Sequence, residues 1–256
     1  MTAIAIVPAR YGATRFPGKL LANLHGKPLI QHAWERAREL ASVSRVLVAT
    51  DDETIATVVR GFRGEVVMTR ADHSSGTDRV AEVARGLAAE LIVNLQGDEP
   101  LIDTKSVDEL VRTVSRESGI VMGTLAHPIS GESEFASPHV VKVVVDRAGF
   151  ALYFSRAPIP FSRGAGPLSR EAKEGAPLRH IGLYVYRREF LLALTDLPPS
   201  PLELTEGLEQ LRALEHGHRI RVLITSTPSF GVDTPEDLER VRALLDEKHS
   251  DWRHRG

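Results

Sequence analysis

The sequence predicts an α/β fold with a mixed, mainly parallel sheet flanked by helices, of the Rossmann-like kind, and a smaller inserted antiparallel subdomain. Short apolar runs alternate with helical patterns through the first half of the chain, which is typical of strand–helix–strand units around a parallel sheet. Near Ala126 this alternation gives way to strand-like segments separated by prolines and glycines. We therefore expect a single domain over residues 1–256, with the subdomain at about 126–189.

The strands of the first half are predicted from continuous apolar runs, because strands buried on both faces lack the alternation of half-buried ones. Helical patterns separate them, and the helix from Ser75 opens with the spacing of a capping box. Ligands of parallel sheets bind at the carboxyl ends of the strands, so we expect a site in the loops after Val7, Val48 and Leu95. The predicted strands are 4–7, 46–49, 65–68 and 91–95, and the predicted helices 31–40, 52–60 and 75–85.

The second half of the chain has less regular patterns. Its prolines and glycines indicate a long loop at 162–177, to which we assign no site residue. The last helix is expected from about Thr234, with Pro235 at its first position, where a missing N–H costs nothing. The predicted strands here are 140–145, 151–155, 181–186 and 220–224, and the other predicted helices 188–194 and 206–216.

The composition excludes several classes of protein. The chain has 256 residues, of which 32 are Lys or Arg and 34 are Asp or Glu, so binding of nucleic acid through bulk charge is not expected. It has no cysteine, which excludes a disulfide scaffold, a thiolate nucleophile and a cysteine-ligated metal. No apolar run reaches the roughly 18–20 residues of a membrane span, and the apolar start lacks the positive leader of a secretory signal. We therefore expect a cytoplasmic protein without membrane insertion.

The loop after the first strand, Pro8–Lys19, carries three cations, Arg10, Arg15 and Lys19, together with two glycines. Backbone N–H groups of such a loop can hold phosphate oxygens while the cations neutralise their charge. It is not a Walker A loop, because five residues separate its glycines and Leu20 follows the lysine. The alternative is a solvated basic loop with turn glycines. Its position after the first strand and its charge favour phosphate binding.

Two aspartates are candidates for a metal site. Asp98 follows a buried strand within Gln96–Pro100, and Asp233 precedes the last helix within Gly231–Asp237. Carboxylates, phosphates and waters are the ligands that Mg²⁺ takes in nucleotide sites. The alternatives are structural: Asp98 would cap a turn, and Asp233 or Thr234 would cap the helix.

Polar residues elsewhere are candidates for binding an anionic, hydroxylated ligand. Arg79 lies in the first turn of a predicted helix, where the helix dipole disfavours a cation, and this placement hints at an anionic partner. The alternative there is an exposed arginine on a capped surface helix, and the sequence by itself favours that alternative. Four further candidates, for which solvated polar side chains are the alternative, are His180, Tyr184, Glu209 and Gln210.

Seven motifs, in this order, resemble the CMP-KDO synthetase family, the 3-deoxy-manno-octulosonate (KDO) cytidylyltransferases. The resemblance runs from Ile6 to about Arg242. The combination is much more specific than the first and last motifs, which alone would indicate only a nucleotidyltransferase. The motifs are Pro8–Lys19, Met68–Arg79, Val93–Pro100, Ala151–Ala157, Leu178–Tyr184, Leu208–Arg212 and Gly231–Leu238.

The resemblance implies that CTP and KDO give CMP-KDO and pyrophosphate with Mg²⁺, for lipopolysaccharide biosynthesis, in a nucleotidyltransferase fold and a homodimer paired through the smaller region. It implies that Asp98 and Asp233 hold Mg²⁺ and that Arg15 and Lys19 stabilise charge on the transferred and leaving groups. The implied nucleotide site comprises Ala9, Arg10, Gly12, Thr14, Arg15, Lys19 and Gln96. The implied sugar site comprises Arg79, as partner of the KDO carboxylate, with Gln96, His180, Tyr184, Glu209 and Gln210.

The implied reaction is an in-line attack of the sugar's anomeric hydroxyl on the α-phosphorus of CTP, which depends mainly on positioning and charge stabilisation. No residue stands out as a general base. The chain departs from the family pattern at Gly12-Ala13, where relatives often carry Ala-Ser, and at Leu20, where a proline is common. Both departures keep the three cations.

Three alternatives remain at this point. A cytidylyltransferase for another acid sugar, such as a sialic acid or an amino analogue of KDO, would share the first loop. A metal-dependent glycosyltransferase would usually carry an Asp-x-Asp motif, which Asp98-Glu99-Pro100 does not match. A noncatalytic nucleotide-binding protein would be favoured by loss of Lys19 or of either aspartate, and all three are present.

Overall fold

A computed structural model describes residues 2–12, 15–163 and 176–253, with side chains as far as residue 247. These residues form two compact units. The N-terminal unit comprises 2–88, 94–104 and 229–253, and the central unit comprises 89–93 and 105–228. Most of the predicted loop at 162–177 lies outside the described residues.

Strands and helices alternate through the N-terminal unit and become mixed in the central unit. The strands are β1 (Ala3–Ala9), β2 (Asn23–Leu24), β3 (Lys27–Pro28), β4 (Arg45–Thr50), β5 (Glu65–Met68), β6 (Leu91–Asn94), β7 (Met122–Pro128), β8 (Lys142–Val145), β9 (Ala151–Ser155), β10 (Leu178–Arg187) and β11 (Ile220–Ile224). The helices are α1 (Leu29–Arg38), α2 (Glu53–Gly61), α3 (Gly76–Arg85), α4 (Thr104–Arg116), α5 (Glu132–Ala136), α6 (Arg188–Asp196), α7 (Pro201–Glu206), α8 (Gln210–Glu215) and α9 (Pro235–Arg253).

The N-terminal unit contains the predicted parallel strands. Strand β1 pairs in parallel with β4, with Ile4 opposite Arg45, and β4 pairs in parallel with β5. Every residue of β1 is buried, as its continuous apolar run predicts. Helix α3 begins at the predicted cap, where the Ser75 hydroxyl accepts a hydrogen bond from Asp78 N. No helix of the described residues is long and apolar enough to cross a membrane.

The central unit contains the antiparallel pairings. Strand β10 runs antiparallel to β7 and β8, β8 runs antiparallel to β9, and β11 runs parallel to β7. The register of β10 against β7 shifts between Ile181 and Tyr184, which is a β-bulge. These pairings confirm the predicted mixed sheet flanked by helices, with its antiparallel part.

Two predictions of elements need correction. The helix predicted at 206–216 begins too early: Gly207 takes a left-handed conformation (φ +63°) that ends α7, and α8 starts only at Gln210. No element was predicted for residues 104–128, where α4 and β7 lie. The buried face of α4 includes Val107, Leu110, Val111 and Val114, a helical spacing that would have predicted it.

Candidate active site

The position of Lys19 depends on the conformation of Gly18, the residue before it in the loop after β1. Gly18 has φ +69°, a left-handed conformation that costs a residue with a side chain about 1 kcal/mol or more. Its N–H donates to Tyr11 O at 3.1 Å, and its carbonyl accepts from Leu21 N at 2.9 Å. The loop is thereby folded back on itself, and a short 3-10 turn from Lys19 to Leu21 follows it directly.

Lys19 lies between the two predicted metal ligands. Its Nζ is 2.5 Å from Asp98 Oδ2 and 2.9 Å from Asp233 Oδ1. Arg15 Nη2 lies 2.8 Å from the other oxygen of Asp233. Four residues of the sequence prediction are therefore joined in one ionic cluster.

The backbone holds the two aspartates together. Leu95 N donates to Ile6 O, which sets the loop after β6 beside the end of β1. Val232 N then donates to the main-chain oxygen of Asp98 at 2.9 Å. Close approach also matters at Gly97, where a Cβ would lie 2.8 Å from the Ile30 side chain. The distance between the two carboxylates is therefore fixed by main-chain contacts as well as by Lys19.

The helix cap after Asp233 is formed by other residues. Thr234 Oγ1 accepts from Asp237 N at 3.2 Å, and the Asp237 carboxylate accepts from Thr234 N at 2.9 Å. The structural alternative for this segment was that Asp233 or Thr234 caps the last helix, and the reciprocal bonds form such a cap. Thr234 takes it, so the Asp233 carboxylate is left to Lys19 and Arg15.

The cluster shifts the pKa values of its members in the directions expected of ion pairs. Burial lowers the pKa of the Lys19 ammonium, but Asp98 and Asp233 outweigh burial and hold that pKa above its usual value. Burial likewise raises the pKa of Asp233, and Lys19 and Arg15 outweigh it, so that pKa lies below its usual value. Lys19 and Asp233 are both charged at neutral pH.

The other predicted nucleotide-site residues line the same loop and the loop after β6. Ala9 is buried at the end of β1, and Arg10 and Gly12 are exposed. Among the described residues the Arg10 guanidinium has no hydrogen-bond or ion-pair partner, so it is free to contact an anion. Gln96 donates to the Asn94 side chain at 3.2 Å. Thr14 lies outside the described residues.

Two predicted sugar-site residues, His180 and Tyr184, contact each other in the central unit. Their ring centroids are 5.5 Å apart, and Phe154 meets the His180 ring edge-on at 4.9 Å. His180 is buried, and burial lowers its pKa to about 3, so its imidazole is neutral. A neutral imidazole can accept a hydrogen bond from a hydroxyl group.

The remaining pair, Glu209 and Gln210, lies where α8 begins. Glu209 is exposed, whereas Gln210 is almost fully buried. The side-chain nitrogen of Gln210 is buried and has no hydrogen-bond partner among the described residues. A buried donor left in this state costs about 1–3 kcal/mol, and a ligand oxygen that accepted from it would remove that cost.

Comparison with known proteins identifies the family. Residues 4–220 match the family model described as Cytidylyltransferase. A 3-deoxy-manno-octulosonate cytidylyltransferase of Syntrophotalea carbinolica is 56% identical over 248 residues, which cover 96% of this chain and 99% of that protein. The chain belongs to the 3-deoxy-manno-octulosonate cytidylyltransferase family. Another of these cytidylyltransferases, from Geobacter sulfurreducens, is 54% identical and covers 96% of this chain and 100% of its own.

Solved structures agree with this membership. A CMP:2-keto-3-deoxy-manno-octonic acid synthetase complexed with CTP superposes with a TM-score of 0.88 at 44% identity, over 97% of this chain and 100% of that one. A 4-diphosphocytidyl-2C-methyl-D-erythritol synthase from Anaerococcus prevotii, at 10% identity and a TM-score of 0.63 over 96% and 98% of the two chains, shares only the fold. The fold shared with the synthetase confirms the predicted α/β fold class.

Arg79 has a different environment from the one expected of a substrate contact. It is buried, and its Nη1 forms an ion pair with Asp51 Oδ1 at 3.0 Å and donates to Thr69 Oγ1 at 2.5 Å. The ion pair is not aligned as a hydrogen bond. The alternative interpretation of Arg79 as an exposed arginine on the protein surface is therefore wrong. The described partners of Arg79 tie α3 to the residues that follow β4 and β5.

The partners of two predicted site residues, Arg79 and His180, were not predicted from the sequence. Asp51 directly follows β4, at the strand end where the fold predicted ligands, and this position was the signal for it. Thr124 contacts His180 across two antiparallel strands. No local sequence pattern indicates that Thr124 and His180, which are 56 positions apart, are in contact. That contact is therefore known only from the structure.

Proposed function

We propose that this protein transfers the cytidylyl group of CTP to KDO, giving CMP-KDO and pyrophosphate. The cluster of Arg15, Lys19, Asp98 and Asp233 carries the proposal, because it gathers two carboxylates and two cations where a triphosphate needs them. Identity above 50% to cytidylyltransferases of this name, over almost their whole length, supports KDO as the acceptor. The product would serve lipopolysaccharide biosynthesis in the cytoplasm, where CTP is made.

The cations of the first loop neutralise the triphosphate. Arg10 is exposed and without a partner among the described residues, so it can bind a phosphate without breaking an existing contact. Arg15 is also exposed and is held by a single carboxylate. Lys19 is more deeply placed and stabilises charge on the leaving pyrophosphate. Ala9, Gly12, Thr14 and Gln96 complete the nucleotide site that we propose.

Asp98 and Asp233 are the residues that would hold Mg²⁺. The donor set fits that cation, because two carboxylates already lie within 2.9 Å of one positive nitrogen. No group of three or more acidic or histidine ligands occurs in the part of the chain that the structure describes, and Mg²⁺ at a triphosphate needs only one or two carboxylates. When bound, the ion neutralises phosphate charge and lowers the pKa of an oxygen nucleophile.

Recognition of the sugar is assigned to His180, Tyr184, Glu209 and Gln210. Neutral His180 offers an acceptor to a polyhydroxylated ligand, and the Gln210 amide nitrogen, which has no partner among the described residues, offers a donor. Arg79 stays a proposed partner of the KDO carboxylate, through the guanidinium nitrogens that Asp51 and Thr69 leave free. Gln96 is proposed to contact both substrates.

The decisive experiment measures pyrophosphate release with each of the four NTPs, in the presence of KDO, of sialic acid or of no sugar, with and without Mg²⁺. We expect release only with CTP, KDO and Mg²⁺ together. Pyrophosphate release with sialic acid but not with KDO would identify another acid sugar as the acceptor substrate. A folded protein that binds CTP and releases nothing with either sugar would contradict the proposal.

We also propose a homodimer that pairs through the central unit. Three large apolar side chains there are strongly exposed, namely Leu152 on β9, Leu204 on α7 and Phe161. Exposed apolar side chains of this size lower their free energy by burial in an interface. The resemblance to a dimeric family points to a second copy of the chain as the partner.

A further inference from the structure

The hydroxyl group of Thr124 contacts three groups at once, one of which is the ring nitrogen Nε2 of His180. Thr124 is fully buried on β7, opposite the bulge of β10. Its Oγ1 is 2.8 Å from Leu183 O, 3.1 Å from Ile181 O and 3.0 Å from His180 Nε2. Because Thr124 is buried, each of these contacts should pair a hydrogen-bond donor with an acceptor.

The count of hydrogens decides which nitrogen of His180 is protonated. A threonine hydroxyl has one hydrogen to donate, and two carbonyl oxygens lie within its reach. If that hydrogen pointed at His180, the hydroxyl oxygen would face both carbonyl oxygens with no proton between them, which is repulsive. The hydroxyl therefore donates to the bulge carbonyls of Ile181 and Leu183 and accepts from His180, so Nε2 carries the hydrogen.

The other ring nitrogen is then an acceptor. The imidazole is neutral because its pKa is about 3, so it has a single N–H and Nδ1 has a lone pair. Nδ1 has no hydrogen-bond partner among the described residues. Phe154 and Tyr184 pack against the ring on two sides and fix its orientation.

We propose that Thr124 is a positioning residue that fixes the Nε2–H tautomer of His180, so that Nδ1 accepts a hydrogen bond from a hydroxyl group of the acceptor sugar. The bulge of β10 is part of this arrangement, because it supplies the two carbonyls that bind the threonine hydrogen. The inference rests on the proposed function for the identity of the sugar. The tautomer itself does not depend on any substrate.

The first test is the ¹⁵N spectrum of the histidine rings in the wild-type protein at neutral and alkaline pH, with the His180 signals assigned by their loss in His180→Gln. We expect Nε2 protonated, Nδ1 unprotonated and no titration between pH 5 and 8. His127 is the internal reference, because its Nδ1 lies 3.1 Å from Thr225 O and must carry the hydrogen when the ring is neutral. An Nδ1–H tautomer at His180, or titration near pH 6.5, would overturn the proposal without any variant.

The second test compares Thr124→Val with Thr124→Ser. Valine keeps the shape and removes the hydroxyl, so we expect His180 to lose its single tautomer and the KM for KDO to rise about tenfold, the size of one hydrogen bond, with the KM for CTP unchanged. Serine keeps the hydroxyl and should restore both. An unchanged KM for KDO in a folded Thr124→Val would contradict the proposal. A wild type that is inactive with KDO would instead contradict the proposed function, and the spectrum would still decide the tautomer.

Discussion

Lys19 is the residue on which the charge balance of the site depends. Its ammonium group compensates two carboxylates, Asp98 and Asp233, that would otherwise face each other. Their positions after strands and before the last helix made all three candidate site residues, and the family resemblance implied their roles. Their direct contact was beyond prediction, because ion pairing between residues 214 positions apart depends on how the whole unit folds.

Replacing Lys19 by methionine should lower the free energy of unfolding by about 1–2 kcal/mol at neutral pH, since water screens the half-exposed Asp233. Asp233 has a pKa below 3.8, so its pairing stabilises the protein above about pH 4, and this stability is lost as pH falls through the lower pKa. Lys19 has a pKa above 10.5, so its share is lost only as pH rises through that value. Urea denaturation across pH should show a constant difference between about pH 4 and 10. A difference that persisted at pH 2 would contradict this account.

Asp98→Asn should reduce kcat by at least about a hundredfold, because the amide removes a negative charge from the proposed metal site while keeping the shape of the side chain. Pyrophosphate release and circular dichroism check activity and folding together. Asp246→Asn is the matched control, since Asp246 is an exposed aspartate on α9 and should tolerate the change. Near-normal turnover of a folded Asp98→Asn would remove that residue from the metal role.

Arg79→Ala separates a structural contribution from a substrate contact. The ion pair with Asp51 is largely buried, so we expect a loss of about 3 kcal/mol in the free energy of unfolding. Arg45→Ala, which breaks the exposed pair with Glu65, should cost less than about 1 kcal/mol. A rise in the KM for KDO without any loss of stability would instead assign Arg79 to the carboxylate of the sugar alone.

At the scale of elements, local patterns predicted the strands and helices whose buried faces are regular. Strand β1 and helix α3 lie where the sequence placed them, because a continuous apolar run and a serine cap are local signals. The helix predicted over 206–216 contains α8 but begins four residues too early, since a glycine is tolerated inside a helix and the positive φ of Gly207 is visible only in the structure. The bulge of β10 was also unpredicted, because register depends on the partner strand.

Gly97→Ala tests how closely the loop after β6 packs on its neighbours. The new Cβ would lie 2.8 Å from Ile30 Cδ1 and 3.4 Å from Pro8 O, so either the buried Ile30 side chain or the loop that carries Asp98 must shift. We expect a loss of about 1–3 kcal/mol in stability and lower activity. Gly119→Ala, where a Cβ meets nothing within 4 Å, should change stability by less than about 0.5 kcal/mol. Equal effects of the two changes, measured by urea denaturation, would contradict close packing at Gly97.

At the scale of the whole molecule, the fold class was predictable because the alternation of strands and helices extends over many elements. The members of the proposed catalytic cluster were predictable, but the contacts between them were not. The proposed homodimer belongs to this scale as well. Besides the family resemblance, it is supported by the apolar side chains Leu152, Leu204 and Phe161, whose exposure the sequence pattern did not indicate.

Leu204→Asp and Leu152→Asp should shift the protein from dimer to monomer in analytical ultracentrifugation, because a buried charge at an interface is costly without a partner. Met68→Asp is the control, since Met68 is an exposed apolar residue on β5 of the N-terminal unit. A wild type that sediments as a monomer, or dimers in all three variants, would contradict pairing through the central unit.

The cluster also sets an order in which its parts can come together during protein synthesis. Lys19 is translated 214 residues before Asp233, and the core residues Leu238 and Val241 of the last helix follow Asp233. Those last core residues pack with Leu24 from the beginning of the chain. A polypeptide that ends before Asp233 therefore has the proposed phosphate-binding loop without its second carboxylate and without these core contacts. We expect CTP to be consumed only by chains that extend beyond Val241.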